Sequence, residues 1–229
     1  MTLLVDVGYL SWNVCYGMQF GRDEWRDTDL LIDRGCKLCM DSRRSLRSEK
    51  YNWYKSNRNH LPAQTLILRK KAHKWVNQAR ERYPFDILEE DGLEADDVIA
   101  LHYKTGDWIM TMDKDLAQLP DAVFIDRKLE HWTIERLQNK KKLKVNTPEH
   151  WLAYQLMFGD VADNIPRLLL SKDRETAKFI QAQEHPLDWL MGGILPEKRV
   201  WESLDCLIVP TPLYTGIDHY SFLANRYSF

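Results

Sequence analysis

The stretch GLEADDVIA, residues 92–100, places Glu94, Asp96 and Asp97 within four positions at the start of an apolar run. Carboxylates held this close raise one another's pKa and repel, so the arrangement requires a cation between them. A divalent metal ion and a row of basic side chains are the two candidates. In a continuous helix, which rotates by about 100° per residue, Asp96 would point away from Glu94. We therefore expect Gly92 to provide the turn that enters a helix over residues 96–103.

The whole chain has the composition of an ordinary soluble globular protein. It has 229 residues, a net charge of -2 at pH 7 and 44% hydrophobic residues, which argues against disorder. No stretch approaches the roughly 20 apolar residues of a membrane-spanning helix, and residues 1–10 fit a strand better than a signal peptide. We expect a monomer in the cytoplasm (the host cell cytoplasm if viral) that does not act on membranes.

Cysteine and histidine give no sign of a zinc site. Cys36 and Cys39 have the spacing of half such a site, but strand positions three apart point to opposite faces. The chain has no second pair of this kind, and its seven histidines are scattered. Buried free thiols are the favoured interpretation.

Charge is strongly segregated along the chain. Residues 42–82 contain twelve basic and two acidic residues, a local charge of +10, whereas residues 86–97 contain seven acidic residues and no basic one. A charge run alone is typical of a solvated face. Tyr51, Trp53 and Tyr54 lie within the basic run, however, and aromatic rings beside Lys and Arg suit nucleic-acid binding. The basic segment could neutralise phosphates, and the acidic segment could hold cations.

Short apolar runs alternate with helical patterns over the first 125 residues. The predicted strands are 3–7, 36–40, 85–88, 108–112 and 122–125, and the predicted helices end near residue 17 or cover 65–83 and 96–103. Strands separated by helices form a largely parallel α/β sheet, and the functional crevice of such a sheet lies beyond the carboxyl ends of its strands.

Acidic residues follow several of these predicted strands. They are Asp6, Asp41, Asp113 and Asp115. We expect them to converge with Glu94–Asp97 at the crevice. Oxygen ligands without His or Cys favour Mg²⁺ or Mn²⁺. Taken alone, each Asp after a strand is more often a helix cap than a ligand, and residues 159–164 could form an Asx-type turn.

The joint order of five motifs resembles the 5′-nuclease family, which includes flap endonucleases and bacteriophage 5′-3′ exonucleases on a PIN-like fold. The motifs are Asp6-Val7-Gly8, Asp41 followed by Tyr54-Lys55-Ser56-Asn57-Arg58, Leu93-Glu94-Ala95-Asp96-Asp97, Thr111-Met112-Asp113-Lys114-Asp115 and Gly159-Asp160-Val161-Ala162-Asp163-Asn164-Ile165-Pro166. The resemblance covers about residues 3–180. It implies a PIN-like core over residues 1–145 with an arch at about 42–64. A helical DNA-binding part with a degenerate helix-turn-helix and a C-terminal tail would then cover 146–229.

The resemblance also implies the site residues. The metal ligands would be Asp6, Asp41, Glu94, Asp96, Asp97, Asp113, Asp115, Asp160 and Asp163. They would hold two or three Mg²⁺ ions, with Mn²⁺ as a substitute. Two such ions activate a water, clamp the scissile phosphate and stabilise the leaving oxygen. The catalytic Lys55 and one of Arg43, Arg44 and Arg47 would contact that phosphate, Tyr54 would stack on a base, and Arg58 would bind DNA.

Two features depart from the family pattern. The glycine-rich segment expected after Pro166 reads Arg167-Leu168-Leu169-Leu170, and backbone amides approach phosphate less closely beside leucine than beside glycine. This puts the K⁺ ion of relatives in doubt, so duplex contacts would depend on Lys172, Arg174 and Lys178. The short connection between Gly17 and Cys36 leaves room for little of the helix that larger relatives have there.

The sequence therefore predicts a metal-dependent 5′-nuclease that hydrolyses DNA from or near free 5′ ends and leaves a 5′-phosphate and a 3′-hydroxyl. Flaps, nicks and duplex ends are the expected substrates, and RNA–DNA hybrids are left open. The alternatives are a PIN-type endoribonuclease and a structure-specific DNA-binding protein with attenuated catalysis. An Asp-x-Asp phosphatase is disfavoured because Val7-Gly8 follows Asp6, and a topoisomerase-primase fold because its upstream Gly-Glu signature is missing.

Overall fold

A computed structural model of the chain describes residues 1–119, 121–126, 130–132, 147–169, 174–190, 202–204 and 206–207. These residues belong to two compact units. The first unit comprises the described residues of Met1–Leu46, Asn59–Asp113 and Asp121–Trp132, and the second those of Arg47–Arg58, Lys114–Pro120 and Thr133–Phe229. The predicted division of the chain near residue 145 stays a prediction.

The first unit is built on a mostly parallel sheet in the order β3-β2-β1-β4-β5-β6. Its strands are β1 (Leu3–Asp6), β2 (Lys37–Cys39), β3 (Ile87–Leu88), β4 (Trp108–Met110), β5 (Val123–Ile125) and β6 (His131–Trp132). Strands β1 to β5 pair in parallel, and β6 pairs antiparallel with β5. The predicted α/β fold is confirmed. Strand β6 was not predicted, because two residues are too few to show an alternating pattern.

Helices connect the strands, as the pattern predicted. They are α1 (Val7–Met18), α2 (Arg26–Asp33), α3 (Leu46–Lys50), α4 (Ala63–Arg82) and α5 (Ala95–His102). The expectation of little helix between Gly17 and Cys36 was wrong, since α2 has eight residues there. Asp27 and Asp29 in its first turn favour helix formation through the helix dipole. Within the described ranges, no helix has the length and apolar character required to cross a membrane.

A buried apolar cluster fixes the central strands side by side. Leu38, Met110 and Ile125 from the sheet pack in this cluster with Trp75 and Ala79 of α4. All five are almost completely buried. Because β1, β2 and β4 are neighbours in register, the loops that follow these strands emerge at one edge of the sheet.

The second unit is helical. A helix covers Pro148–Phe158, with Thr147 as its N-cap, and the Thr147 hydroxyl accepts a 3.2 Å hydrogen bond from the His150 amide. Shorter helices cover Arg174–Gln181 and Pro186–Trp189. Leu152 and Ile180, both fully buried, belong to the apolar core that these elements share.

Candidate active site

Asp6 joins β1 to α1 and is both a helix cap and a candidate metal ligand. Its Oδ1 accepts a 3.0 Å hydrogen bond from the backbone amide of Tyr9, within the first turn of α1. Its Oδ2 accepts a 2.8 Å hydrogen bond from the hydroxyl of Thr111. The same hydroxyl oxygen accepts a 2.9 Å hydrogen bond from the backbone amide of Asp113. Thr111 therefore ties the acid after β1 to the acid after β4.

Sequence reasoning did not identify Thr111 as a functional residue. Its side chain is completely buried, one position after the end of β4 and two before Asp113. The available signal was the Thr-x-Asp spacing at a strand end, where a hydroxyl can bond to a backbone amide two residues on. A bond from this hydroxyl to Asp6, 105 positions earlier in the chain, has no local signature.

The entry to α5 has the geometry that Gly92 was expected to allow. Gly92 has a φ of +81°, and a Cβ at that position would lie 2.5 Å from the Cγ of Leu46. Other residues would be both strained and in collision there. Glu94 follows in extended backbone, and α5 begins at Ala95. Glu94 therefore lies outside the helix that contains Asp96. This is the arrangement that we expected from the sequence if the two carboxylates are to converge.

Three acids are anchored at this entry. Oδ1 of Asp41 accepts a 2.8 Å hydrogen bond from the amide of Ala95. The Glu94 carboxylate accepts a 3.1 Å hydrogen bond from the hydroxyl of Ser45. Oδ2 of Asp97 accepts a 3.2 Å hydrogen bond from the amide of Glu94. Glu94 and Asp97 are buried, whereas Asp41 is exposed.

The predicted acids of the first unit are called the sheet-edge acids below: Asp6, Asp41, Glu94, Asp96, Asp97 and Asp113. Burial, followed by the negative charge of Asp113 and to a lesser extent that of Asp41, raises the pKa of Asp6 from 3.8 to about 6. The hydrogen bonds from Tyr9 and Thr111 act in the opposite direction but are outweighed. Asp113 and Asp41 therefore lie within electrostatic reach of Asp6. A bound cation would relieve this repulsion.

The sheet-edge acids fit a hard divalent cation in their donor chemistry. All of them offer oxygen, and the nearby Cys39 thiol has its pKa raised by burial, so it stays protonated and is a poor ligand. Among the residues that the structure describes, no three His, Cys, Asp or Glu side chains already form a metal-holding group. Binding would therefore require these carboxylates to turn from their present hydrogen bonds.

The other three predicted ligands belong to the second unit and are called the turn acids: Asp115, Asp160 and Asp163. The Lys114 ammonium contacts Oδ2 of Asp160 and lies 3.4 Å from Oδ1 of Asp115. Asp115 also accepts a hydrogen bond from the Gln155 side-chain amide. Oδ1 of Asp160 accepts a 2.8 Å hydrogen bond from the amide of Ala162, which is an Asx turn. The prediction of an Asx-type turn within residues 159–164 is thus confirmed.

The turn that presents Asp160 depends on Gly159. Gly159 has a φ of +67°, and a Cβ there would lie 2.5 Å from the carbonyl oxygen of Ile165. Asp160 and Ile165 exchange backbone hydrogen bonds of 3.1 and 2.7 Å. The chain between them is consequently a closed loop that fixes the positions of Asp160 and Asp163.

Asp163 is the centre of a cluster of basic and aromatic groups from residues 54–58. Its carboxylate accepts a 2.7 Å bond from the Arg58 guanidinium and a 3.3 Å bond from the Tyr54 hydroxyl. The Lys55 ammonium lies 3.7 Å from Oδ2 of Asp163 and 4.9 Å from the centre of the Tyr54 ring. A predicted metal ligand therefore meets two predicted DNA-binding cations directly.

Two predicted DNA contacts are wrong for this conformation. Arg47 and Tyr54 are only 2% and 4% exposed. The Tyr54 ring packs in the apolar core of the second unit, so it cannot stack on a base. Arg43 and Arg44 are exposed, although Arg44 lies 3.4 Å from the Asp91 carboxylate. Their predicted contact with phosphate stays a prediction.

The predicted duplex-binding residues are described only in part. Lys172 lies outside the described residues. Arg174 begins a helix, but its side chain also lies outside the description. Lys178 makes an exposed 2.7 Å ion pair with Glu175.

The leucines that replace the expected glycines are bonded within the protein. The amides of Leu168 and Leu169 both donate to the carbonyl oxygen of Met157, at 3.2 and 2.9 Å. Backbone amides used in this way do not point at a phosphate, which agrees with the expectation that the missing glycines weaken a backbone grip on DNA.

Acidic loops at the carboxyl edge of a parallel sheet are a suitable scaffold for metal-dependent phosphodiester chemistry. Residues 29–146 match the family model described as 5'-3' exonuclease, N-terminal resolvase-like domain, and the chain belongs to this family.

The chain is 31% identical over 151 residues to DNA polymerase I of Deinococcus radiodurans, covering 60% of this chain and 14% of the polymerase. It is 33% identical over 133 residues to the thermostable DNA polymerase I of Thermus thermophilus, covering 53% of this chain and 15% of the polymerase. The chain spans about a seventh of the length of these polymerases.

Solved structures share the fold over nearly the whole chain. One is a bacteriophage T5 5′-exonuclease with bound divalent metal ions (zinc), with a TM-score of 0.64, 15% identity and coverage of 97% of this chain and 94% of that chain. Another is a bacteriophage T5 flap endonuclease in a pseudo-enzyme-product complex with DNA and metal ions, with a TM-score of 0.63, 16% identity and coverage of 98% and 94%. The predicted PIN-like fold of phage 5′-3′ exonucleases is confirmed.

Proposed function

We propose that this chain is a divalent-metal-dependent 5′-nuclease that hydrolyses DNA phosphodiester bonds from or near free 5′ ends. The observation that carries this proposal is the crowding of Asp6, Asp41 and Asp113, which follow three adjacent parallel strands. The Thr111 hydroxyl joins Asp6 to the Asp113 amide, and burial followed by the charge of Asp113 raises the pKa of Asp6 to about 6, so a divalent ion bound there would favour the ionised carboxylate. Membership in the 5'-3' exonuclease family supports the same conclusion.

The sheet-edge acids would hold the ion, which we propose to be Mg²⁺ with Mn²⁺ as a substitute. A divalent ion bound there would supply Lewis-acid activation of a water and stabilise charge on the phosphate. Asp6 is held for this role by Thr111 and by its capping bond to Tyr9. Asp41 is held by the Ala95 amide. These bonds hold each carboxylate at the sheet edge, from where it would turn to reach the ion.

Basic side chains would bind the substrate. Lys55 would contact the scissile phosphate, and the exposed Arg43 and Arg44 would contact the DNA backbone. Flaps, nicks and duplex ends are the proposed substrates, with 5′-phosphate and 3′-hydroxyl products. The proposed setting is replication, repair or primer removal, in agreement with the similarity to bacterial DNA polymerase I.

One observation favours a second candidate, a structure-specific DNA-binding protein with attenuated catalysis. The turn acids already accept bonds from protein cations: Asp160 from Lys114 and Asp163 from Arg58. A carboxylate paired in this way is a weaker metal ligand, because the ion must displace the ammonium or guanidinium.

A labelled-substrate time course separates the candidates. Flap, nicked and blunt duplexes carrying a label at either the 5′ or the 3′ end are incubated with Mg²⁺, with Mn²⁺ or with a chelator, alongside RNA oligonucleotides. A 5′-nuclease releases short 5′-labelled products only when a divalent ion is present, whereas cleavage of RNA alone would indicate the endoribonuclease.

The matched variant for this assay is Asp113→Asn, which preserves side-chain shape and the backbone bond to Thr111. It should bind DNA and cleave it about 100-fold more slowly than wild type. Wild-type protein that binds flaps tightly but cleaves none of the substrates with either metal would support the DNA-binding candidate.

A further inference from the structure

The Asn164 side chain bridges two places on either side of Lys55. Its Nδ2 donates a 2.7 Å hydrogen bond to the carbonyl oxygen of Trp53 and a 3.0 Å hydrogen bond to the hydroxyl of Ser56. Both hydrogens of the amide nitrogen are therefore used. The bond acceptors precede Lys55 by two residues and follow it by one, so the lysine lies inside the span that the amide holds.

The backbone of Lys55 and Asn164 has a conformation that side-chain-bearing residues do not prefer on their own. Lys55 has a φ of +54° and Asn164 a φ of +59°, in the left-handed region that side-chain-bearing residues rarely adopt. Asn tolerates this region better than most residues, whereas Lys has no such tendency. The Lys55 conformation therefore persists because surrounding bonds determine it. One of these bonds runs from the Lys55 amide to the Asp163 carbonyl oxygen, at 2.9 Å.

We infer that Asn164 is a positioning residue for Lys55. This inference rests on the proposed function, in which Lys55 contacts the scissile phosphate. The Asn164 amide fixes residues 53–56 so that the Lys55 side chain leaves the turn in one direction, beside Asp163 and over the Tyr54 ring. A cation that must meet a phosphate in the transition state acts well only when its position is set in advance. Loss of the amide should thus slow the chemical step more than it weakens DNA binding.

Asn164→Gly is the variant that tests this role. Glycine keeps the positive φ without strain and removes both side-chain hydrogen bonds. The expected result is a fall of about 10- to 100-fold in the single-turnover cleavage rate, with the Kd for flap DNA changed by less than about 3-fold. The matched control is Asn57→Ala, which removes a 2.6 Å bond from the Asn57 amide to the Val161 carbonyl oxygen. That bond joins the same two segments without spanning Lys55, so the control should cleave within about 3-fold of wild type.

A double-mutant cycle with Lys55→Ala shows whether the amide acts through the lysine. If it does, Asn164→Gly should lower the rate no further once Lys55 is Ala. Equal losses in both backgrounds would overturn the positioning role. Equal falls in rate and in DNA affinity for Asn164→Gly would overturn it as well.

Limited trypsin digestion tests, without any nuclease activity, whether the Asn164 amide holds residues 53–56 in place. We call this bonded arrangement the clamp. Cleavage after Lys55 or Arg58, identified by fragment mass, should be at least about tenfold faster in Asn164→Gly than in wild type, because a loosened segment opens more often. Unchanged digestion would overturn the clamp itself. If wild-type protein cleaves no DNA, the proposed function and the positioning role both fail, and faster digestion of the variant would then show only a structural clamp.

Discussion

Two of the sheet-edge acids and two of the turn acids are held by different kinds of hydrogen-bond donor. In the first unit, the carboxylates of Asp6 and Asp41 accept hydrogen bonds from neutral donors, namely amides and a hydroxyl. In the second unit, Asp160 and Asp163 accept bonds from Lys114 and Arg58. Neutral donors orient a carboxylate without cancelling its charge. Cationic donors orient the carboxylate and also offset its charge.

This difference indicates which group needs an external cation. Burial, followed by the negative charge of Asp113, raises the pKa of Asp6 to about 6, so an added divalent ion would offset both the desolvation and the repulsion there. At the turn acids the protein supplies its own cations, and an ion gains only what it adds beyond the ammonium or guanidinium it displaces. We therefore expect the sheet-edge acids to bind the first ion.

The largest expected effect comes from Asp6→Asn. Asparagine is as good an N-cap as aspartate, so the bond from Tyr9 to this position and the start of α1 are kept, while the negative charge is lost. Removing a ligand of an ion that supplies several kcal/mol of transition-state stabilisation should lower the cleavage rate by about 100- to 1,000-fold. Single-turnover cleavage of a 5′-labelled flap measures this. A variant within about tenfold of wild type would remove Asp6 from the metal site.

The pH dependence of the metal-free protein is the next effect in size. The pKa of Asp6 is raised from 3.8 unfolded to about 6 folded. Between these values the folded state binds a proton that the unfolded state has released, so the free energy of unfolding falls as pH rises from about 4 to 6 and levels off above about 7. The size of this contribution is up to about 3 kcal/mol, at 1.36 kcal/mol per pKa unit.

Urea unfolding with chelator at pH 4.5 and pH 8, in wild type and Asp6→Asn, isolates this contribution. Relative to wild type, the variant should gain clearly more stability at pH 8 than at pH 4.5. Saturating Mg²⁺ at pH 8 should stabilise wild type by about 2 to 3 kcal/mol at 100 times its Kd and the variant by less. Parallel pH curves for the two proteins would show that Asp6 is not crowded.

The positions of several sheet-edge acids could be predicted because their sequence signals are local. Gly92 before Glu94 is a turn signal that sequence carries directly, and the acids after β1 and β4 follow from apolar runs that end in aspartate. The carboxyl ends of parallel strands meet at one sheet edge, so these local signals also placed Asp6 and Asp113 together.

The contacts of the turn acids could not be predicted because the residues that bond to one another lie far apart in the chain. Tyr54 bonds to Asp163 across 109 positions, and Lys114 contacts Asp160 across 46. Tyr54 in a basic run has the pattern of an exposed ring for stacking, and only the folded core shows that it is buried. The same limit applies to Arg47, whose charge gave no sign of its burial.

A smaller effect should follow from Lys114→Met, which keeps much of the side-chain length and removes the charge. Asp160 and Asp115 are each only 5% exposed at the side chain, while Lys114 is 34% exposed. Leaving two buried carboxylates without the ammonium should cost about 1 to 3 kcal/mol, less than for a fully buried pair because water reaches Lys114.

Thermal unfolding of Lys114→Met with and without Mg²⁺ then tests whether the turn acids can bind an ion. If they can, Mg²⁺ should raise the midpoint more in the variant than in wild type. The control is Lys178→Met, which breaks an exposed pair with Glu175 and should change stability by less than about 0.5 kcal/mol. Equal Mg²⁺ effects in Lys114→Met and wild type would restrict ion binding to the sheet-edge acids.

The smallest expected effect is that of Asp29→Asn, which changes an acid at the protein surface. The Tyr83 hydroxyl, followed by Arg82, lowers the pKa of Asp29, and the Asp29 and Arg82 side chains are 42% and 48% exposed. A lowered carboxylate pKa stabilises the fold above the unfolded value of 3.8 and loses that contribution as pH falls through the folded value. Asp29→Asn should therefore cost less than about 1 kcal/mol at pH 7, after allowance for solvent screening, and close to nothing near pH 3. Urea unfolding at the two pH values measures this, and DNA cleavage should match wild type because Asp29 lies in α2 and not at the sheet edge. A cleavage loss as large as that of Asp6→Asn would show that charge anywhere on the first unit, and not its crowding at the strand ends, controls the reaction.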